Sequence, residues 1–262
     1  EDSGAPLRLK AAELLLVSAA AHGGGPSDAA IGEQAAAGAA NQPKLAPAAQ
    51  KVRALAAIVN GKPGGVDKLL ADKAAPENQL VLGLARLAEN RLEAAVGPLR
   101  AYVSARQGDM LGHYLLGRAL NTGPEARKEL ELVLGKNPAH AGAQIGLARL
   151  EGTPETRLAA ARALAEKKLP AAGPTELAIL ELTIGQAEQA LGRSLEAISA
   201  YQKAIGLDKR LIPAYVALGE ALLYEGKYGQ ALERLKAAGP ALESTPAGKF
   251  ALGGAHLATN DP

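Results

Sequence analysis

The chain has 262 residues with no Cys, no Trp, one Phe and one Met, while Ala and Leu fill 58 and 42 positions. Such helix-former composition, with 3% aromatic residues, excludes an all-β sandwich or barrel, which leans on β-branched and aromatic side chains. The 29 basic and 27 acidic residues are spread evenly along the chain, so no segment carries the one-sided basic field that a phosphate backbone requires, and nucleic acid is not an expected partner.

The absence of Cys removes disulfides, thiolate-ligated zinc, iron–sulfur clusters and a thiol nucleophile, and suits cytoplasm and periplasm equally, leaving the localisation open. The opening Glu1-Asp2-Ser3 carries neither Met nor a basic leader and reads as a processed or excised start. From the N-terminus, Leu7 to Ala21 reads as a helix stopped by His22-Gly23-Gly24-Gly25-Pro26. Its apolar stretch from Leu14 to Ala21 is far shorter than the ~20 residues needed to span a bilayer, so no transmembrane segment is expected. Ser27 to Ala40 reads as a partner helix capped at Ser27 or Asp28, with a frayed segment as the alternative, because its Ala and Gly bury little area. Residues 1–43 thus form an atypical or capping repeat. Lys44 to Asn60, with Leu45, Val52, Leu55, Ile58 and Val59, predicts another helix. After the break at Gly61-Lys62-Pro63-Gly64-Gly65, Val66 to Ala75 predicts a short second one, so 44–75 reads as a degenerate helical repeat.

Beyond residue 76 the chain repeats. Leu82-Gly83, Leu116-Gly117, Ile184-Gly185, Leu218-Gly219 and Leu252-Gly253 fall on one 34-residue lattice, with 117 to 185 covering two periods. Leu147-Ala148 supplies the missing rung after 31 residues, and the next interval of 37 restores the phase. The shortfall maps to Asn121-Thr122-Gly123-Pro124, the excess to the segment from Lys167 to Pro174.

The clearest unit places Tyr215, Leu218-Gly219, Leu222, Gly226, Tyr228, Ala231 and Leu235 at the spacings of the tetratricopeptide pattern, and Gly192, Ala197, Tyr201, Ala204 and Leu207 repeat its second half. Ala95 and Leu99, then Ala126, Leu130 and Pro138, keep the skeleton earlier on. Residues 76–258 therefore resemble the tetratricopeptide repeat (TPR) family. The resemblance implies an all-α, right-handed α-solenoid of stacked antiparallel helix pairs, with 76–262 as a TPR array ending in a half repeat.

The family's geometry implies that first helices line a concave groove. Counting the Gly/Ala landmark as position 8, position 5 falls at Leu80, Tyr114, Ile145, Leu182, Val216 and Phe250. Position 9 falls at Leu84, Arg118, Arg149, Gln186, Glu220 and Gly254. These are the expected partner-binding residues, the alternative being that position 5 is simply packed between helices. Only Arg118 and Arg149 approach the family's clamp for acidic C-terminal tails, so such a clamp is not expected. His113, His140 and His256 fall in three different repeats without metal-ligand spacing, Gly23-Gly24-Gly25 follows a helix rather than a strand, and Ser104, Ser199 and Ser244 lack a nucleophile-elbow setting. No catalytic residue, metal or cofactor is expected. The function implied is a non-enzymatic scaffold for protein or peptide partners. A bacterial multiprotein assembly is the expected setting, on Ala-rich, Cys-free composition. A small-ligand or signalling-peptide sensor, or a non-catalytic domain of a larger enzyme, are the other readings.

Residues 246–258 restart a repeat in phase, with Lys249, Phe250, Leu252, Gly253 and Leu257 on a first helix, and Asn260-Asp261-Pro262 stand where the turn to a second helix would begin. With no formal charge between Lys249 and Asp261, this face is expected to be continued by further chain, to self-associate, or to fray.

Overall fold

The computed structural model describes residues 4–39, 41–167, 169–243 and 245–259. The expectations that touched Glu1–Ser3, Ala40, Lys168, Ser244 and Asn260–Pro262 lie outside the described residues. Every regular element among the described residues is helical. The fold is an all-α solenoid of stacked helix pairs, and its contacts divide it into two units, 1–138 and 139–262, the division falling inside the stretch 76–262.

The first unit contains α1 (Ala5–His22), α2 (Pro26–Gly38), α3 (Ala46–Val59), α4 (Val66–Leu69), α5 (Pro76–Ala88), α6 (Leu92–Ala105), α7 (Met110–Leu120) and α8 (Gly123–Lys136). Gly23 ends α1 at φ 98°, and its N–H donates to the Ala19 carbonyl. Helix α2 is formed, and its cap is neither Ser27 nor Asp28. Gly25 holds that place, and the Asp28 carboxylate reaches back to accept the Gly25 N–H at 2.9 Å. The sparse side chains of α2 serve close packing: a Cβ at Gly32 would stand 2.4 Å from the Leu16 side chain of α1.

Val66 to Ala75 forms only the four-residue α4, where a longer helix was expected. Leu70 is extended at φ −95°, ψ 113°, the Asp72 carboxylate accepts the Ala74 N–H, and the amides of Asn78 and Gln79 donate to the carbonyls of Asp72 and Lys73. Side chains thus take the backbone groups a helix would use, and Pro76 disfavours helical geometry at Ala75. What remains of α4 is anchored by buried Val66 and by Asp67, whose carboxylate meets Arg86 of α5 at 2.8 Å.

The second unit contains α9 (Ala141–Arg149), α10 (Pro154–Glu166), α11 (Pro174–Ala190), α12 (Ser194–Leu207), α13 (Ile212–Tyr224), α14 (Tyr228–Ala237), α15 (Pro240–Glu243) and α16 (Pro246–Thr259). In three repeats the chain leaves its first helix by one turn. The N–H groups of Arg91, Arg193 and Lys227 donate to the carbonyls of Arg86, Glu188 and Leu222 at 2.8, 2.9 and 2.9 Å, around Asn90, Gly192 and Gly226 at φ 56°, 75° and 70°. That is the left-handed helix exit, in which Asn substitutes for Gly at tolerable cost.

The lattice glycines sit where two helices touch. A Cβ on Gly83, Gly117, Gly185 or Gly219 would come 2.5, 2.8, 2.4 or 2.7 Å from the side chain of Leu99, Leu130, Tyr201 or Leu235 on the second helix of the same pair. Each second-helix side chain therefore rests on bare backbone. Gly185→Leu is expected to lower stability by about 1–3 kcal/mol through overpacking against Tyr201. Gly135→Ala, in open space on α8, should raise it by about 0.5–1 kcal/mol through helix propensity. Thermal melts followed by circular dichroism distinguish the two directions.

Candidate groove residues and their surroundings

Within the first unit, α5 carries Leu80 and Leu84 and α7 carries Tyr114 and Arg118. The Asp109 carboxylate caps α7 by accepting the Leu111 N–H, and it also accepts the hydroxyl of Tyr102 from α6. Leu80, Leu84 and Tyr114 are buried. The reason at Tyr114 is the end of α1. The His22 ring stacks on the Tyr114 ring with centroids 5.9 Å apart and planes within 5°, and the Arg118 guanidinium carbon lies 5.6 Å from that ring's centroid. Arg118 Nη1 donates to the Ala21 carbonyl at 2.9 Å, so a cation meets the carbonyl-rich C-terminus of α1, where the helix dipole favours it. The Tyr114–Arg118 step of the expected groove is thus occupied by the chain's own first helix.

His113, beside Tyr114, is a packing residue. It is buried, with Nδ1 2.5 Å from a Glu129 carboxylate oxygen on α8 and Nε2 2.9 Å from the Gln107 carbonyl. His140 acts as a helix cap, its Nδ1 accepting the Ala143 N–H at 3.2 Å. Among the described residues no group of three or more His, Asp or Glu could hold a metal ion, and no helix is long and apolar enough to cross a membrane.

In the second unit α9, α11 and α13 lie side by side, and α16 packs on α13. Ile145 and Leu182 are buried, which matches simple packing at position 5, whereas Val216 and Arg149 are half-buried. Gln186, Glu220 and Phe250 are exposed, Phe250 at 81%. Gln186 and Glu220 occupy equivalent places on α11 and α13, with Val216 one turn before Glu220. Burial of its carboxyl pushes Glu220 above the usual glutamate range even though the residue as a whole keeps more than a third of its surface in water.

Two buried carboxylates that the sequence reading missed tie segments of this unit together. Glu188 of α11 is 1% exposed and holds two cations, Arg162 of α10 and Arg193 Nη1 at 3.2 Å. Asp208, also buried, accepts from Thr175 Oγ1 at 2.7 Å and from the Arg210 N–H at 2.9 Å. The lattice gave no consistent signal for Glu188, because the same place in the other repeats holds Arg86, Leu120, Glu151, Leu222 and His256. The Glu176 carboxylate that accepts the Gly173 N–H at 2.7 Å was legible, since Gly-Pro-x-Glu has the spacing of a capping box.

Two consequences can be measured. Arg118→Ala should cost about 1 kcal/mol and quicken amide exchange in the last turn of α1, where hydrogen-exchange mass spectrometry would detect it. Glu220 has a pH signature. Above the ordinary glutamate value of 4.5 the unfolded chain has released a proton that the folded chain still holds, so stability falls as pH rises from there through the raised folded value. Glu220→Gln removes that loss, and the melting-temperature difference between variant and wild type should grow more favourable to the variant from pH 4 towards pH 7.

No protein-family model matches the chain, and no curated protein matches it. Solved structures do. The chain is similar to TTC0263, a thermophilic TPR protein in Thermus thermophilus, with TM-score 0.53 and 21% identity, over 70% of this chain and 100% of that one. It is similar to NprR in complex with its cognate peptide NprX, with TM-score 0.67 and 14% identity, over 99% of this chain and 84% of that one. A third likeness is to the APC/C hetero-tetramer Cut9-Hcn1, with TM-score 0.57 and 13% identity; it covers 88% of this chain but spans only 48% of the longer one. Likeness at such identities speaks for architecture, and with the 34-residue lattice, the glycine contacts and the shared helix exits it identifies the fold as that of the tetratricopeptide-repeat proteins.

Proposed function

We propose that the chain is a non-enzymatic interaction scaffold that engages a protein or peptide segment along the first helices of its second unit, at Gln186, Val216, Glu220 and Phe250. The observation that carries this reading is the contrast between the units. In the first, Leu80, Leu84 and Tyr114 are buried and Arg118 is engaged by Ala21. In the second, Ile145 and Leu182 are buried as well, but Gln186, Glu220 and Phe250 are exposed and Val216 is half-buried. That NprR, similar in fold, was solved with its cognate peptide supports an extended segment as the ligand class. A half-buried Val216 supplies an apolar anchor, and Glu220, short of full hydration, gains from a Lys or Arg on the partner. Ile145, Arg149 and Leu182 support this line from beneath or from its edge. The expected setting is a bacterial multiprotein assembly.

The test places a photo-crosslinking residue at 216 and, as a control, at 135 on α8. Illumination in the native lysate should trap one or a few defined proteins from position 216 and none of them from 135. Val216→Arg and Glu220→Arg should each reduce capture of the trapped protein by about tenfold or more, as loss of an interface anchor does. Equal labelling from both positions would overturn the groove as the binding surface.

A further inference from the structure

In four repeats a second-helix side chain rests on the lattice glycine, and three of the four use Leu. Leu99, Leu130 and Leu235 lie over Gly83, Gly117 and Gly219, so packing at this place asks for nothing polar. Gly185 instead receives Tyr201 of α12, which is fully buried. A buried phenol needs a partner for its hydroxyl. That of Tyr201 donates to Gln189 Oε1 at 2.6 Å, reaching the first helix one turn beyond Gly185. Gln189 is exposed, so a side chain at the surface of α11 is held from beneath. With its oxygen engaged by the hydroxyl, the amide turns its two N–H donors away from Tyr201, and no described residue accepts from them.

The same hydroxyl feels Glu220 of α13. Burial and the Glu220 charge together push the Tyr201 phenol above the usual tyrosine range, which places the carboxylate near it from the neighbouring first helix. Gln186 precedes Gln189 by one turn, and Val216 and Tyr224, the latter 83% exposed, stand one turn to either side of Glu220. Amide donors on α11 and a carboxylate on α13 are thus gathered about one buried phenol. The places equivalent to Gln189 in the adjoining repeats hold Gly152 and Leu223, so neither neighbour repeats the arrangement.

We propose that Tyr201 is a positioning residue for partner binding, its hydroxyl fixing Gln189 so that the amide NH2 takes a backbone carbonyl of an extended segment whose Lys or Arg meets Glu220. The inference rests on the reading of α11 and α13 as the binding surface. A neutral carbonyl fits, because an acidic side chain brought to Gln189 would be repelled by Glu220. Holding the amide beforehand also removes part of the rotamer entropy that an untethered Gln gives up on binding.

The probe is a displayed library of random dodecapeptides, selected on the wild type and counter-selected on Val216→Arg, with the affinity of the selected peptide measured by titration calorimetry. Selected sequences should be rich in Lys or Arg. Binding should fall about three- to tenfold in Gln189→Ala and in Tyr201→Phe, the worth of one neutral hydrogen bond. Phe keeps the ring over Gly185 and leaves Gln189 to water, so circular dichroism should show unchanged helix content. The double variant is decisive: Tyr201→Phe should cost nothing further in the Gln189→Ala background, since the hydroxyl acts only through that amide. An equal loss in both backgrounds means that the phenol serves packing alone, and overturns the proposal. A peptide lost on Val216→Arg but indifferent to Gln189→Ala overturns it too, while leaving the binding surface in place. A library that yields no peptide sensitive to Val216→Arg overturns the surface itself, and the inference with it. In the free protein, nitrogen relaxation should show the Gln189 side-chain amide restrained in the wild type and released in Tyr201→Phe; equal mobility in the two overturns the positioning role whatever the library returns.

Discussion

A side chain of one helix resting on the bare backbone of its neighbour is the contact on which the rest of this structure depends. At Gly83, Gly117, Gly185 and Gly219 a Cβ would come within 2.4 to 2.8 Å of Leu99, Leu130, Tyr201 or Leu235, so the side chain above it would have to shift. Close approach increases the dispersion contacts each side chain makes, and in a chain with 58 Ala and one Phe that density compensates for the small size of the side chains.

Polar groups are placed where this packing leaves carbonyls and amides unmatched. His113 bridges α8 and the loop before α7 through both ring nitrogens, and Glu188 draws Arg162 and Arg193 onto α11. These are connectors between elements already held by apolar contact. A carboxylate as buried as Glu188 would be costly alone, and its two cationic partners, each about half exposed, keep the charge compensated without being buried themselves.

The use of the first helices differs between the two units. In the first, α1 turns its C-terminal carbonyls and His22 towards α7 and consumes Tyr114 and Arg118 as structural partners. In the second, the places equivalent to Arg118 include exposed Gln186 and Glu220 beside half-buried Arg149. Equivalent lattice positions therefore have unequal chemistry, because what decides it is whether another part of the chain lies across them.

The sequence alone determined the helical class, the 34-residue period, the two irregular intervals and the helix exits at Gly192 and Gly226, since each follows from local spacing or from backbone conformations only certain residues adopt. The exit at Asn90 lies on the same lattice and was legible in principle, but Asn marks a left-handed turn less plainly than Gly. The tertiary structure decided the rest. Periodicity places Leu80 and Phe250 at one position of the repeat, and only the presence or absence of a neighbour makes one buried and the other exposed. The shortening of α4 came from Asn78 and Gln79 reaching back six residues, and the occupation of Tyr114 from a helix more than ninety residues away. Burial, pairing and vacancy are relations between segments, and a one-dimensional pattern records a residue's own preferences without recording what is brought against it.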